Sequence, residues 1–163
     1  MANSLELVYF DTCLFVELLQ QDNQSRFDAC EFMRLKAAKK ELLIVTSAIT
    51  IVETNKLPES PALLEEQSKK ILAFFLNPYI AIRPVTREIA ELAHEFTRTH
   101  GLTNLDAIHV ATAAISKVTS FYTYDNPKKK RKGLIRHSLK IGQPPLRIEM
   151  PPDPDAGTLF ETP

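Results

Sequence analysis

Four acidic residues stand where the pattern of the chain calls for apolar or neutral side chains: Asp11, Glu53, Asp106 and Asp125. Asp11 ends the run Leu7 to Asp11, and Asp125 ends Phe121 to Asp125. Glu53 closes the apolar stretch Ile49 to Glu53, and Asp106 opens the segment Asp106 to Ala111. An ionised carboxylate at the edge of a core is costly unless a positive charge compensates it. Four brought together would repel one another, and their pKa values would rise. Mg²⁺ or Mn²⁺ removes that conflict, because these hard cations prefer oxygen ligands and keep several waters. Such ions, about 3.5–4 Å apart when paired, can activate water and stabilise an in-line displacement at phosphorus. The residue types therefore predict a divalent-metal site.

Each acid also has a structural reading. Asp11 suits a strand-ending turn or a helix cap, and Glu53 suits an exposed helical position. Thr103 and Asp106 form the T-x-x-D capping pattern, and Asp125 in Tyr-Asp-Asn-Pro suits a turn. A strand ending in Asp11-Thr12 also opens a haloacid-dehalogenase-type phosphatase. That chemistry needs a second Asp two residues on, where Cys13 stands.

The elements that must position these acids alternate between strands and helices. Strands are predicted at Leu5 to Phe10, Leu42 to Thr46, Tyr79 to Arg83 and Phe121 to Tyr124. Leu139 to Ile141 and Arg147 to Glu149 are further strand candidates, at most an edge because Pro144-Pro145 lies between them. Helices are predicted at Thr12 to Gln21, Ser25 to Lys40, Ser47 to about Asn55, Ala62 to Leu76, Thr86 to about Thr99 and Asn104 to Lys117. This alternation predicts a three-layer α/β fold with a central, mostly parallel sheet flanked by helices. In such sheets ligands bind beyond the carboxyl ends of the strands, where the connection order switches. Asp11 and Asp125 each end a predicted strand there.

The successive motifs resemble those of PIN domains, most closely the VapC-like toxin ribonucleases. They are Phe10-Asp11-Thr12, Thr46 to Glu53, Leu105 to Ala113 and Tyr122 to Asp125, in that order, with Arg83 to Ala93 resembling the stretch before the third acid. The resemblance implies a Mg²⁺- or Mn²⁺-dependent endoribonuclease acting on RNA, often a homodimer and often inhibited by a cognate antitoxin protein. By position it implies Asp11, Glu53, Asp106 and Asp125 as the catalytic, metal-binding acids, with Thr12, Ser47 and Thr123 supporting them. The motif departs at Cys13, where the family commonly carries Asn. A PIN-fold module that binds RNA or protein with little catalysis is the alternative.

Charge is polarised although twenty basic and twenty acidic residues cancel over the 163. From Asn126 to Ile148 the chain has eight Lys or Arg and no acid. Lys128, Lys129, Lys130, Arg131 and Lys132 follow directly after Asp125 and are candidates to hold RNA phosphates; a solvated loop is the plainer reading. His109 lies three residues after Asp106 on the same helical face, where a hydrogen-bonded structural role outweighs catalysis. Two cysteines with no metal spacing fit a reducing, cytoplasmic compartment. The longest uncharged apolar-rich stretch, Leu42 to Val52, is far below the roughly 18 residues a membrane span needs. Length and composition predict one domain over residues 1–150 and a proline-rich flexible tail over 151–163.

Overall fold

A computed structural model describes residues 5–55, 61–125 and 133–155 of the chain. Among the described residues five strands form one sheet: β1 (Glu6–Phe10), β2 (Leu42–Ser47), β3 (Ile80–Arg83), β4 (Ser120–Tyr122) and β5 (Ile148–Glu149). Their spatial order is β3-β2-β1-β4-β5, and every pairing is parallel. Among the described residues six α-helices connect them: α1 (Thr12–Gln20), α2 (Gln24–Ala38), α3 (Ile49–Glu53), α4 (Pro61–Phe74), α5 (Arg87–His100) and α6 (Asn104–Ile115).

A parallel sheet covered on both faces asks for strands apolar on both sides. β1 meets this demand. Val8 and Phe10 face one core with Leu14, Phe15, Cys30, Met33, Ile44, Ile71 and Phe75. Tyr9, between them, faces the other core with Val45, Ile89, Phe96, Val110, Ala111 and Phe121. Period-two alternation along one strand thus supplies two hydrophobic layers, and helices close each of them. Within the second layer Tyr9 stacks on Phe121 with ring centroids 4.7 Å apart. Such a pair contributes about 0.5–1.5 kcal/mol beyond its area burial.

Helix ends follow local chemistry. Asn23 and Thr86 cap α2 and α5 by accepting the N–H groups of Arg26 and Ile89. Gly101 ends α5 at φ 65°, a left-handed conformation that a side chain would strain. Ser47, expected to cap α3, closes β2 and accepts the Ile49 N–H at 3.4 Å, while the capping position itself falls to Ala48 without a side-chain bond. α6 stops at Ile115 because Lys117 turns left-handed at φ 53°.

The strand expected at Leu139 to Ile141 does not form. Leu139 is left-handed at φ 58°, and its N–H donates to the Leu146 carbonyl, so the segment folds back on itself. Leu134–His137, with no predicted element, is a 3-10 helix. The strand expected over Arg147 to Glu149 is present as β5, on the sheet edge. Pro151 is buried, and the chain beyond Asp155 lies outside the described residues. Among the described residues no helix is long and apolar enough to cross a membrane.

Candidate active site

Strands β1, β2 and β3 succeed one another to one side of the sheet, whereas β4 returns to the other side of β1. The order therefore switches between β1 and β4, and the crevice at their carboxyl ends is the expected ligand position. Asp11 follows the last residue of β1, and its N–H donates to the Tyr122 carbonyl of β4 at 3.1 Å. Its carboxylate is held on both oxygens. Oδ1 accepts the Thr12 N–H at 2.8 Å, which caps α1, and Oδ2 accepts the Thr123 hydroxyl at 2.7 Å. The expected helix cap and the strand-end acid are thus one residue.

Thr123 joins the two strand ends. Its fully buried hydroxyl donates to Asp11 and accepts the Asp125 N–H at 2.9 Å. Cys13 packs beside this junction. Its Sγ lies 3.8 Å from Asp11 Oδ2 and 3.6 Å from the Thr123 hydroxyl, and accepts the Tyr124 N–H at 3.3 Å. The thiol therefore takes up a supporting position beside Asp11, with weaker bonds than an amide would give. Both cysteines are free. Burial pushes Cys13 well above the ordinary thiol range, helped by the Asp11 charge, and pushes Cys30 up to about 12.

Glu53 reaches the crevice from the end of α3. Its Oε2 accepts the Thr12 hydroxyl at 2.6 Å and lies 2.6 Å from His109 Nε2. His109, 2 % exposed, projects from α6; Nε2 is also 3.9 Å from Asp11 Oδ1, and Nδ1 is 2.7 Å from the Tyr9 hydroxyl. Burial disfavours the imidazolium, but the Glu53 hydrogen bond and the charges of Asp11, Glu53 and Asp106 outweigh it and raise the His109 pKa. For Glu53, burial likewise opposes ionisation, and the bonds from His109 and Thr12 prevail to lower its pKa.

Asp106 and Asp125 complete the acidic group. Asp106 Oδ2 accepts the Thr103 hydroxyl at 2.6 Å, and that hydroxyl accepts the Asp106 N–H at 3.2 Å. The predicted cap therefore exists, yet it does not isolate the carboxylate. Burial raises the Asp106 pKa, and the negative charges of Asp11 and Asp125 raise it further against the Thr103 bond. Asp125 Oδ2 accepts the Leu134 N–H at 3.1 Å, which draws the Leu134–His137 helix back toward the crevice. The Ser47 N–H donates to the Tyr9 hydroxyl at 3.0 Å. Lys128 to Lys132 lie outside the described residues.

The donor set is all carboxylate and hydroxyl oxygen, the chemistry of a hard divalent cation. Burial, with the charges of Asp11 and Asp125 adding to it, disfavours an ionised Asp106, and a cation there would offset both. Among the described residues no three His, Cys, Asp or Glu side chains close to metal-holding distance. A cavity of about 470 Å³, lined by Leu92, Phe96, His100, Ile115 and Lys140 among others, includes none of the four acids.

The PIN domain family model matches residues 8–132, from β1 through the last acid. The chain belongs to the PIN domain family. Three solved structures with the same fold are similar to this PIN domain. A toxin–antitoxin complex from Klebsiella pneumoniae matches at 22% identity and TM-score 0.53, over 74% of this chain and 88% of that one. VapC20 from Mycobacterium tuberculosis, a toxin cleaving the sarcin-ricin loop, matches at 20% identity and TM-score 0.57, over 73% and 90%. VapBC2 from Rickettsia felis, bound to a fragment of promoter DNA, matches at 19% identity and TM-score 0.54, over 74% and 88%. At these identities they establish the fold alone. No curated protein matches.

Two residues of the crevice were not legible as its parts. Tyr9 reads as an ordinary core aromatic, and His109 as a structural histidine, because neither forms a ligand spacing. The available signal was the coincidence of a polar residue on α6 with a hydroxyl on β1, which only the fold brings together.

Proposed function

We propose that this PIN domain is a Mg²⁺- or Mn²⁺-dependent endoribonuclease of the VapC toxin type. The observation that carries the reading is geometric: the Thr123 hydroxyl ties Asp11 to the Asp125 backbone at the ends of β1 and β4, and Thr12 brings Glu53 to the same crevice. Carboxylates gathered at the switch point of a parallel sheet, with charge left uncompensated, favour a cation there. Asp11, Glu53, Asp106 and Asp125 would hold it. The bound metal supplies water activation and charge neutralisation at the phosphodiester. Thr12 orients Glu53 by its hydroxyl, Thr123 ties Asp11 to the Asp125 backbone, and Ser47 acts at one remove through Tyr9. The basic run Lys128 to Lys132, next in sequence to Asp125, would contact the RNA backbone without selecting sequence.

A cognate antitoxin, a homodimer and a cytoplasmic setting complete the proposal. The similar structures that are toxin–antitoxin assemblies support the first of these. A specific observation favours a second reading, that of a weakly catalytic binding module. Asp106 and Asp125 each serve a local hydrogen bond, and no three donors among the described residues close to coordinating distance. Incubating the protein with structured RNA and Mg²⁺, Mn²⁺ or EDTA separates the two. Cleavage with metal and none with EDTA is expected; intact RNA with both metals across several substrates would favour the binding module.

A further inference from the structure

Resting on that reading, we propose that His109 is a positioning residue for Glu53, held by Tyr9 so that it presents a fixed N–H to one carboxylate oxygen and leaves the other for the metal. The chain of contacts runs through four elements. The Ser47 N–H of β2 donates to the Tyr9 hydroxyl of β1 at 3.0 Å. That hydroxyl meets His109 Nδ1 of α6 at 2.7 Å, and His109 Nε2 meets Glu53 Oε2 of α3 at 2.6 Å.

The carboxylate decides where the proton sits. A carboxylate oxygen is an acceptor only, so a bare Nε2 lone pair 2.6 Å away would repel it. Nε2 therefore carries a proton. With the Ser47 N–H occupying one lone pair of the Tyr9 oxygen, the phenol donates to Nδ1 when the ring is neutral and accepts from it when the ring is cationic, so Nε2–H faces Glu53 in both states. This fixes the tautomer that aims N–H at Glu53.

Both donors to Glu53 converge on the same atom. Thr12 and His109 bind Oε2, and among the described residues Oε1 takes no hydrogen bond. A carboxylate pinned at one oxygen keeps the other aimed, which spares the rotamer entropy a free glutamate would lose on binding. His109 is buried and packed edge-on against Tyr9 at 5.9 Å, so its own orientation is set by the core.

The test compares wild type, Tyr9→Phe, His109→Gln and His109→Leu by Mn²⁺ titration calorimetry and steady-state RNA cleavage, with thermal melts confirming folding. Gln places an amide N–H near the position of Nε2, whereas Leu fills the space with no donor. We expect His109→Leu and Tyr9→Phe to weaken Mn²⁺ binding roughly tenfold or more and to lower kcat with the RNA KM unchanged. His109→Gln should stay within about threefold of wild type, in line with a retained hydrogen bond. A purely structural histidine predicts the reverse order, since Leu suits a core better than an amide does, and no change in Mn²⁺ affinity of the folded variants. That result would overturn the assignment. Equal loss in Gln and Leu would make the imidazole a direct ligand and also overturn it. A wild type that takes up no Mn²⁺ removes the metal reading itself, a separate failure.

Discussion

Thr123→Val is the sharpest test of the way the sheet builds this crevice, because it keeps the shape and removes only the hydroxyl. That hydroxyl is fully buried, donates to Asp11 Oδ2 at 2.7 Å and accepts the Asp125 N–H at 2.9 Å. Losing a hydrogen bond to an ionised acceptor costs about 1.5–3 kcal/mol. Orphaning the Asp125 N–H adds about 1 kcal/mol, the low end of its range, because Asp125 is only half-buried. The two together predict a loss of about 2.5–4 kcal/mol, or roughly 5–16 °C in Tm for a domain of this size. Urea unfolding followed by circular dichroism measures it, repeated with saturating Mn²⁺. Thr123→Ser keeps the hydroxyl and should lose no more than about 1 kcal/mol, the worth of the missing methyl. Mn²⁺ affinity should fall roughly tenfold in the Val variant, because Asp11 loses the bond that aims it. A Val variant within about 0.5 kcal/mol of wild type, with unchanged Mn²⁺ affinity, would refute the idea that Thr123 couples the two strand ends.

Further outcomes follow from the charges. Asp106→Asn keeps an acceptor for Thr103 but removes the repulsion from Asp11 and Asp125, so the metal-free protein should gain stability by less than about 1 kcal/mol at neutral pH while Mn²⁺ no longer raises its Tm. The Glu53–His109 pair contributes in a definite pH window. Glu53 falls below its ordinary 4.5, so its share is present above that value and is lost as pH falls through the folded value. His109 rises above 6.5, so its share is present below 6.5 and is lost as pH rises through the folded value. Urea midpoints of the metal-free protein should therefore show a contribution fullest between 4.5 and 6.5, absent from Glu53→Gln. Replacing Lys128 to Lys132 with serine should weaken RNA binding and flatten the salt dependence by about 0.7 per lost phosphate contact, read from log K against log salt, with kcat at saturation unchanged.

The order of strands and helices was legible because β1 and β2 are short apolar runs that a sheet buried on both faces requires, and α5 and α6 carry Thr caps at their starts. Asp11 was legible as a strand-end acid for the same reason, whereas Asp125 lies three residues beyond β4, which stops at Tyr122 and not at the expected Tyr124. What the linear pattern hid was anything decided by contact across the fold. Leu139 to Ile141 is apolar enough for a strand, but a left-handed Leu139 and its bond to Leu146 take it out of the sheet. Tyr9 and His109 are 100 residues apart and meet only because α6 packs on the face of β1 opposite Phe10. Ser47 illustrates the converse. It was expected to support the acids, and its backbone N–H instead reaches the Tyr9 hydroxyl.

The four acids divide into halves that differ in what compensates them. Asp11 and Glu53 receive a main-chain N–H, two threonine hydroxyls and the His109 N–H. Glu53 is accordingly held ionised, below its ordinary value, in spite of partial burial. Asp106 receives one hydroxyl on its side chain and Asp125 one main-chain N–H, and neither pairs with Lys or Arg among the described residues. The consequence is directional. The Asp11–Glu53 half is organised by the protein's own donors, whereas at Asp106 burial and the charges of Asp11 and Asp125 are left for a cation to offset if the proposed site binds one. Affinity should therefore depend on Asp106 through charge and on Glu53 through aim. An Asn at 106 should abolish Mn²⁺ binding while stabilising the apo fold, whereas a His109→Leu change should weaken binding without that gain.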